Sequence, residues 1–336
     1  MKRPLRRSLL ARAVSVPIAL ACALVALPGS AQTMREISFG IIATDSSTAL
    51  KSMWEPFIAD MSRETGLTVK AYFATDYAGI IEAQRFNKVQ VAWYGNKSAI
   101  DAVDRANGEV FAQMVDIHGT PGYYSYLITH RDSGIKSLDE MFARGKELTY
   151  GSGDPQSTSG TLVPGYYVFT QRGLDPKGVF RVVRPANHGT NLLAVINRQV
   201  DVASNNSEEL DKLKSKQPEK LELVRILWTS PLIPRDPLVW RADLPADVKE
   251  KVLAFVTSYG RDEREKEVLK NMYGLAGFKV SSNAQLIPIR QLELAKDRAR
   301  FESDTTLSPA DRQAKLADID RKLAELAKTA DVAKAR

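Results

Sequence analysis

Cysteine is nearly missing from this chain. Its 336 residues include one, Cys22, and only three histidines, His118, His130 and His188. A lone cysteine excludes a disulfide framework within the chain, and the histidines lack the short spacings that hold a metal. Apolar runs long enough to span a bilayer are absent after the first thirty residues. Internal repeats are absent as well. What remains is an ordinary globular composition, 44% hydrophobic and 26% charged, in a chain large enough for two lobes.

The basic excess is also less than it looks. MKRPLRR, the apolar SVPIALACALVAL and the small residues of PGSAQ read as a secretory signal over residues 1–31, cut after Ala31. The apolar run is short for an anchor. A lipidated Cys22 is disfavoured because the run continues to Leu27 and Ala19 stands where leucine is usual. Removing Lys2, Arg3, Arg6, Arg7 and Arg12, with no acidic residue among them, lowers the formal charge from +7 to +2. The high isoelectric point is therefore no sign of nucleic-acid binding, and the mature chain would hold no thiol.

Periodicity then sets out the elements. ISFGII (37–42) reads as a buried strand, and Leu50, Met53, Trp54, Phe57, Ile58 and Met61 trace one helical face that stops at Gly66. TVKAYF (68–73), a helical GIIEAQRF (79–86), the strand VQVAWY (89–94) and a helix opened by Asn96 continue an alternation that predicts a parallel sheet with ligands at its carboxyl ends. The pattern restarts after PGYYSYLITH (121–130), with a helix expected from about Leu162 to Arg172. SPLIPRDPLVWR (230–241) reads as a rigid crossover strand. Ser308, Pro309 and Asp311 start a last helix whose Leu316, Ile319, Leu323 and Leu326 form a narrow apolar seam, for the chain's own lobe or for another subunit.

Between strand ELTYG and the next helix lies GSGDPQSTSG (151–160). Unpaired N–H groups at a helix start, with Ser157, Thr158 and Ser159 beside them and glycines that allow close approach, suit a small anion. A serine-capped helix with nothing bound fits the same residues. The stretch is not a P-loop, since no Gly-Lys-Ser/Thr follows it.

FGIIATDSS, YFATDYAGIIEAQRFNKVQVAWYGN, TPGYYSYLI, GSGDPQSTSGTLVPGYYVF, NRQVDVASNNSEELDKLK and SPLIPRDPLVWR, in this order along the mature chain, resemble the phosphonate-binding periplasmic proteins that feed ABC importers. The resemblance implies an α/β periplasmic binding protein type 2 fold, two lobes joined by two crossover strands, with a C-terminal helical extension. The expected divisions are 32–122 plus 236–290, 123–235, and 291–336. It also implies that Tyr77, Tyr123, Ser157, Thr158, Ser159 and His188 hold a phosphonate and that Glu208 and Asp236 hold the amine of a ligand such as 2-aminoethylphosphonate. No cofactor or metal is expected; the expected partners are a membrane permease and, through the last helix, a second copy. Gly189 departs from the pattern, since an acidic residue is expected after the histidine.

The chemistry of these side chains agrees with such a role. Hydroxyls and a protonated imidazole can surround phosphonate oxygens. Two carboxylates repel phosphate and suit an ammonium. A phosphite, phosphate or sulfonate receptor is the nearer alternative. A hydrolase built on Ser157, His188 and Asp236 is the remote one, lacking a G-x-S-x-G elbow.

Overall fold

β1 (Glu36–Ile41) begins the order in a computed structural model that describes residues 34–334. The secretory signal read at 1–31, with Cys22, lies outside the described residues. Ile37, Phe39 and Ile41 of β1 are buried against α1 (Ser47–Thr65), whose expected apolar face is inside. Ser46 caps α1, its Oγ accepting from the Ala49 N–H at 3.2 Å. Gly66 ends it at φ 69°, a left-handed conformation that costs glycine little. β2 (Thr68–Phe73), α2 (Tyr77–Arg85), β3 (Val91–Trp93), α3 (Asn96–Arg105) and β4 (Gly108–Asp116) follow.

After β5 (Gly122–Tyr123) come β6 (Ser125–His130), α4 (Leu138–Arg144), β7 (Thr149–Ser152), α5 (Pro176–Val179), β8 (Val182–Pro185), α6 (His188–Ile196), β9 (Val202–Asn206), α7 (Ser207–Lys216), α8 (Pro218–Leu221) and β10 (Val224–Thr229). The chain returns through β11 (Ile233–Pro234) and β12 (Pro237–Arg241) to α9 (Ala246–Ser258), α10 (Glu263–Asn271) and β13 (Leu275–Val280). It ends in α11 (Ile287–Ser303) and α12 (Pro309–Lys334).

Two sheets result. The first has the order β13-β4-β12-β3-β1-β2 and the second β10-β6-β9-β7-β8. The expectation of parallel sheets is corrected. β1 runs parallel to β2 and β3, but β12 lies antiparallel between β3 and β4, because the returning chain enters from the other lobe. In the second sheet β7 is parallel to β8 and β9, while β6 runs against them, antiparallel both to β9 and to β10.

β5 and β11 form a two-stranded ribbon between the sheets, pairing Tyr123 with Ile233 and Gly122 with Pro234. A side chain at Gly122 would collide with the carbonyl oxygen of Ile233, so the crossing requires glycine. At the C-terminus α12 folds back on α11, with Ile319 buried and Arg298 Nε donating to Asp320 Oδ1 at 3.0 Å. Leu316, Leu323 and Leu326 are half-buried. The expected helix at 162–172 differs: it starts earlier, in wide turns over Thr158–Leu162 and Gly165–Phe169. There Leu162 N–H reaches back five residues to Ser157 O at 3.1 Å.

Gly122→Ala should lower the free energy of unfolding by about 1–3 kcal/mol. Gly178→Ala, at a helical site with open space around it, should stay within about 0.5 kcal/mol of the parent. Urea midpoints compare the two, and an equal effect would contradict the crowding assigned to the ribbon.

Candidate functional site

All eight residues singled out by the sequence line one small cavity between the lobes: Tyr77, Tyr123, Ser157, Thr158, Ser159, His188, Glu208 and Asp236. The cavity itself encloses about 20 Å³, room for about one water molecule, so its walls are nearly in contact.

One end is built from element starts. β7 runs into the glycine-rich loop, where Gly153 N–H bonds Gly160 O at 2.9 Å and a side chain at Gly153 would strike Gly160. This close crossing sets Ser157, Thr158 and Ser159 at the head of the wide turns. Ser157 Oγ accepts from Gly160 N–H at 2.9 Å, and Thr158 Oγ1 accepts from the Lys97 N–H in the first turn of α3, on the opposite lobe, at 2.9 Å. Tyr77 opens α2 behind its cap Asp76 and lines the same cavity as Ser157. Burial, then the nearby Asp154 and Asp236 carboxylates, push the Tyr77 phenol well above its usual range, so it stays a neutral donor.

His188 opens α6 and is 4% exposed. Its Nε2 lies 3.3 Å from both Ser157 Oγ and Ser159 Oγ, while Nδ1 finds no partner among the described residues. Burial, with Lys212 adding to it, pushes the imidazole down to about 4. Without an anion beside it, burial favours the neutral ring, so the positive charge expected of His188 depends on an oxyanion close by. The missing acid at 189 also has a structural reason. A side chain there would collide with the Asp45 carboxylate, which reaches over from the other lobe to Lys212 Nζ at 2.7 Å. Lys212 also pairs with Glu209 at 2.5 Å, so at the rim of the cleft one cation serves two carboxylates.

The other end is acidic. Asp236, 5% exposed, follows the ribbon directly; its Oδ2 accepts from Trp93 Nε1 at 3.1 Å and its Oδ1 from the Tyr123 hydroxyl at 3.3 Å. Burial and then the charge of Glu208 push its carboxyl well above the usual range. Glu208 stands in the first turn of α7 and is raised by burial, against the pull of Arg235 Nη1, which donates to its Oε1 at 2.5 Å. Glu208 thus already has a basic partner, where the sequence reading left it to a ligand amine alone.

Sequence reasoning missed Trp93, Asn206, Thr44 and Tyr273, which line the same cavity. Trp93 ends β3 at its carboxyl edge, and Asn206 caps α7, accepting from Glu209 N–H at 2.8 Å; both positions were readable signals. Tyr273 carries none, since its φ of 65° and its bond to Thr44 at 2.8 Å arise from tertiary packing. The hydrolase alternative gains the Ser157–His188 contact but not a triad, because Asp236 is engaged by Trp93 and Tyr123. Among the described residues no group of acidic, histidine or cysteine side chains could hold a metal ion.

A histidine with a folded value near 4 and an ordinary value of 6.5 is destabilising when the unfolded chain protonates. Stability is full above the unfolded value and falls as pH drops from about 6.5 towards 4, by about 3 kcal/mol. His188→Gln should remove this part of the acid dependence. Urea unfolding between pH 7 and 4 checks it, and parallel profiles for the two proteins would contradict the buried neutral imidazole.

Over residues 39–286 the chain matches the family described as ABC transporter, phosphonate, periplasmic substrate-binding protein. It is 51% identical over 292 residues to the phosphonates-binding periplasmic protein of Escherichia coli (strain K12), covering 87% of this chain and 86% of that relative. A crystal structure of a binding protein component of an ABC phosphonate transporter from Pseudomonas aeruginosa superposes with a TM-score of 0.87 at 50% identity, over 90% of this chain and 99% of that one. A Prochlorococcus marinus protein solved in complex with methylphosphonate shares the fold at 19% identity, with a TM-score of 0.68 over 78% of this chain and 99% of that one. With the two-lobed type 2 architecture and its cleft, these likenesses make the chain a member of the periplasmic substrate-binding proteins of phosphonate ABC transporters, a family of binding proteins and not of enzymes.

Proposed function

We propose that the protein captures alkylphosphonates bearing an amine, 2-aminoethylphosphonate first among them, and presents them to a membrane permease. The observation that carries this reading is the opposite chemistry of two groups of side chains that line one cavity. Ser157, Thr158, Ser159, Tyr77 and His188 bring donors to it, and Glu208 and Asp236 bring acids to the same space. The three phosphonate oxygens take the hydroxyls and the open N–H groups, and their charge favours protonation of His188. The ammonium goes to Asp236 and Glu208, and Tyr123 orients Asp236 for it. Phosphate, phosphite or a sulfonate would leave those acids without the cation they call for.

Capture proceeds by closure of a lobe comprising 32–122 and 236–290 on a lobe comprising 123–235, hinged at the ribbon. Ligand held by one wall completes its bonds with the other, and this difference in affinity shifts the balance to the closed form. Residues 1–31 direct export to the periplasm. The half-buried Leu316, Leu323 and Leu326 of α12 support pairing with a second copy.

Calorimetry with 2-aminoethylphosphonate, ethylphosphonate and phosphate tests the reading: the aminated ligand should bind tightest, and equal affinities would defeat it. Asp236→Ala should weaken the aminated ligand about 10- to 100-fold and ethylphosphonate far less. An equal loss for both would remove Asp236 from the amine subsite. Sedimentation with and without residues 304–336 checks the pairing, which is lost from the design if the mass stays monomeric in both.

A further inference from the structure

Arg235 is not among the residues that line the cavity, yet it is 6% exposed immediately behind the acidic end. Its guanidinium joins the two lobes. Nη1 donates to Glu208 Oε1 on α7 and Nη2 to Asp116 Oδ2 at the end of β4, each at 2.5 Å, and Thr120 Oγ1 lies 3.4 Å away. Its carbonyl oxygen is fixed by Gln113 Nε2 at 3.1 Å and Gln285 Nε2 at 3.2 Å, so the residue is anchored on the side of the first sheet. Its Nε has no partner among the described residues, which leaves the two ion pairs as the principal ties of the side chain.

One guanidinium between two nearly buried carboxylates leaves one negative charge in excess. Water cannot screen it there, because all three side chains are less than a tenth exposed. With Oε1 of Glu208 taken by Arg235, its other oxygen is the one left for the cavity. We propose that Arg235, held by Asp116, is a positioning residue that aims Glu208 and makes the amine end of the closed cleft require one positive charge. The inference rests on the aminated-ligand reading above and adds what enforces it. A hydrogen-bond donor alone would satisfy an oxygen but not the excess charge. The raised carboxyl of Asp236 agrees, since a second buried acid beside Glu208 is costly to ionise without a cation. The design is one of discrimination: a ligand lacking the cation meets an uncompensated charge on closure.

Two measurements test this. In the unaltered protein, 2-aminoethylphosphonate is compared with 2-hydroxyethylphosphonate, a neutral ligand of nearly the same shape, and with ethylphosphonate. The hydroxyl ligand should bind no better than about threefold tighter than ethylphosphonate and at least about tenfold weaker than the amine. If the amine and ethyl ligands differ but the hydroxyl ligand matches the amine, the charge requirement is overturned while the amine-end reading stands. No difference between amine and ethyl ligands defeats both. The second measurement uses Asp116→Asn, which keeps an acceptor for Nη2 but lets Glu208 alone balance the guanidinium. The ratio of amine to ethyl affinity should contract roughly tenfold. A loss shared equally by the two ligands would show a merely structural role and overturn the assignment, as would an unchanged ratio.

Discussion

Acids buried at a cleft wall constrain everything else in this molecule. Asp236 and Glu208 have almost no access to water, and a carboxylate in such a place needs donors and a counter-charge. The protein supplies them from three parts of the chain: Trp93 at the end of β3, Tyr123 from the ribbon and Arg235 beside it. The crossover is therefore more than a connection. The segment that links the lobes also carries Tyr123, Arg235 and Asp236, so the geometry of the crossing and the charge at the acidic wall cannot vary independently.

The donor-rich end obeys a different economy. Its groups are neutral hydroxyls, main-chain N–H groups and an imidazole kept uncharged by burial. Neutral donors cost less to bury than cations and gain most when a charged acceptor arrives. At the rim a single lysine, Lys212, bridges Asp45 and Glu209 and offsets part of their charge.

Much of this was legible before any coordinates. The strands with Ile37, Phe39 and Ile41, the face of α1 and the stop at Gly66 follow from local periodicity, which a buried sheet and its covering helices enforce. Strand direction did not, because the placement of β12 between β3 and β4 depends on a chain that leaves and returns. At the site, the residue types were readable from the motifs, but their state was not. The charge of His188 is decided by how deeply its ring is enclosed, and the partner of Glu208 by Arg235, a residue that reads in sequence as one more basic position between prolines. Gly189 likewise has a meaning only through Asp45, distant in the chain.

The bond from the Lys97 main chain to Thr158 has a final implication. A donor of one wall finds its acceptor on the other, and accepting that N–H leaves the Thr158 hydroxyl its own proton to give. The contact therefore aims a donor and does not consume one: the same touch that seals the walls sets the direction in which that proton points.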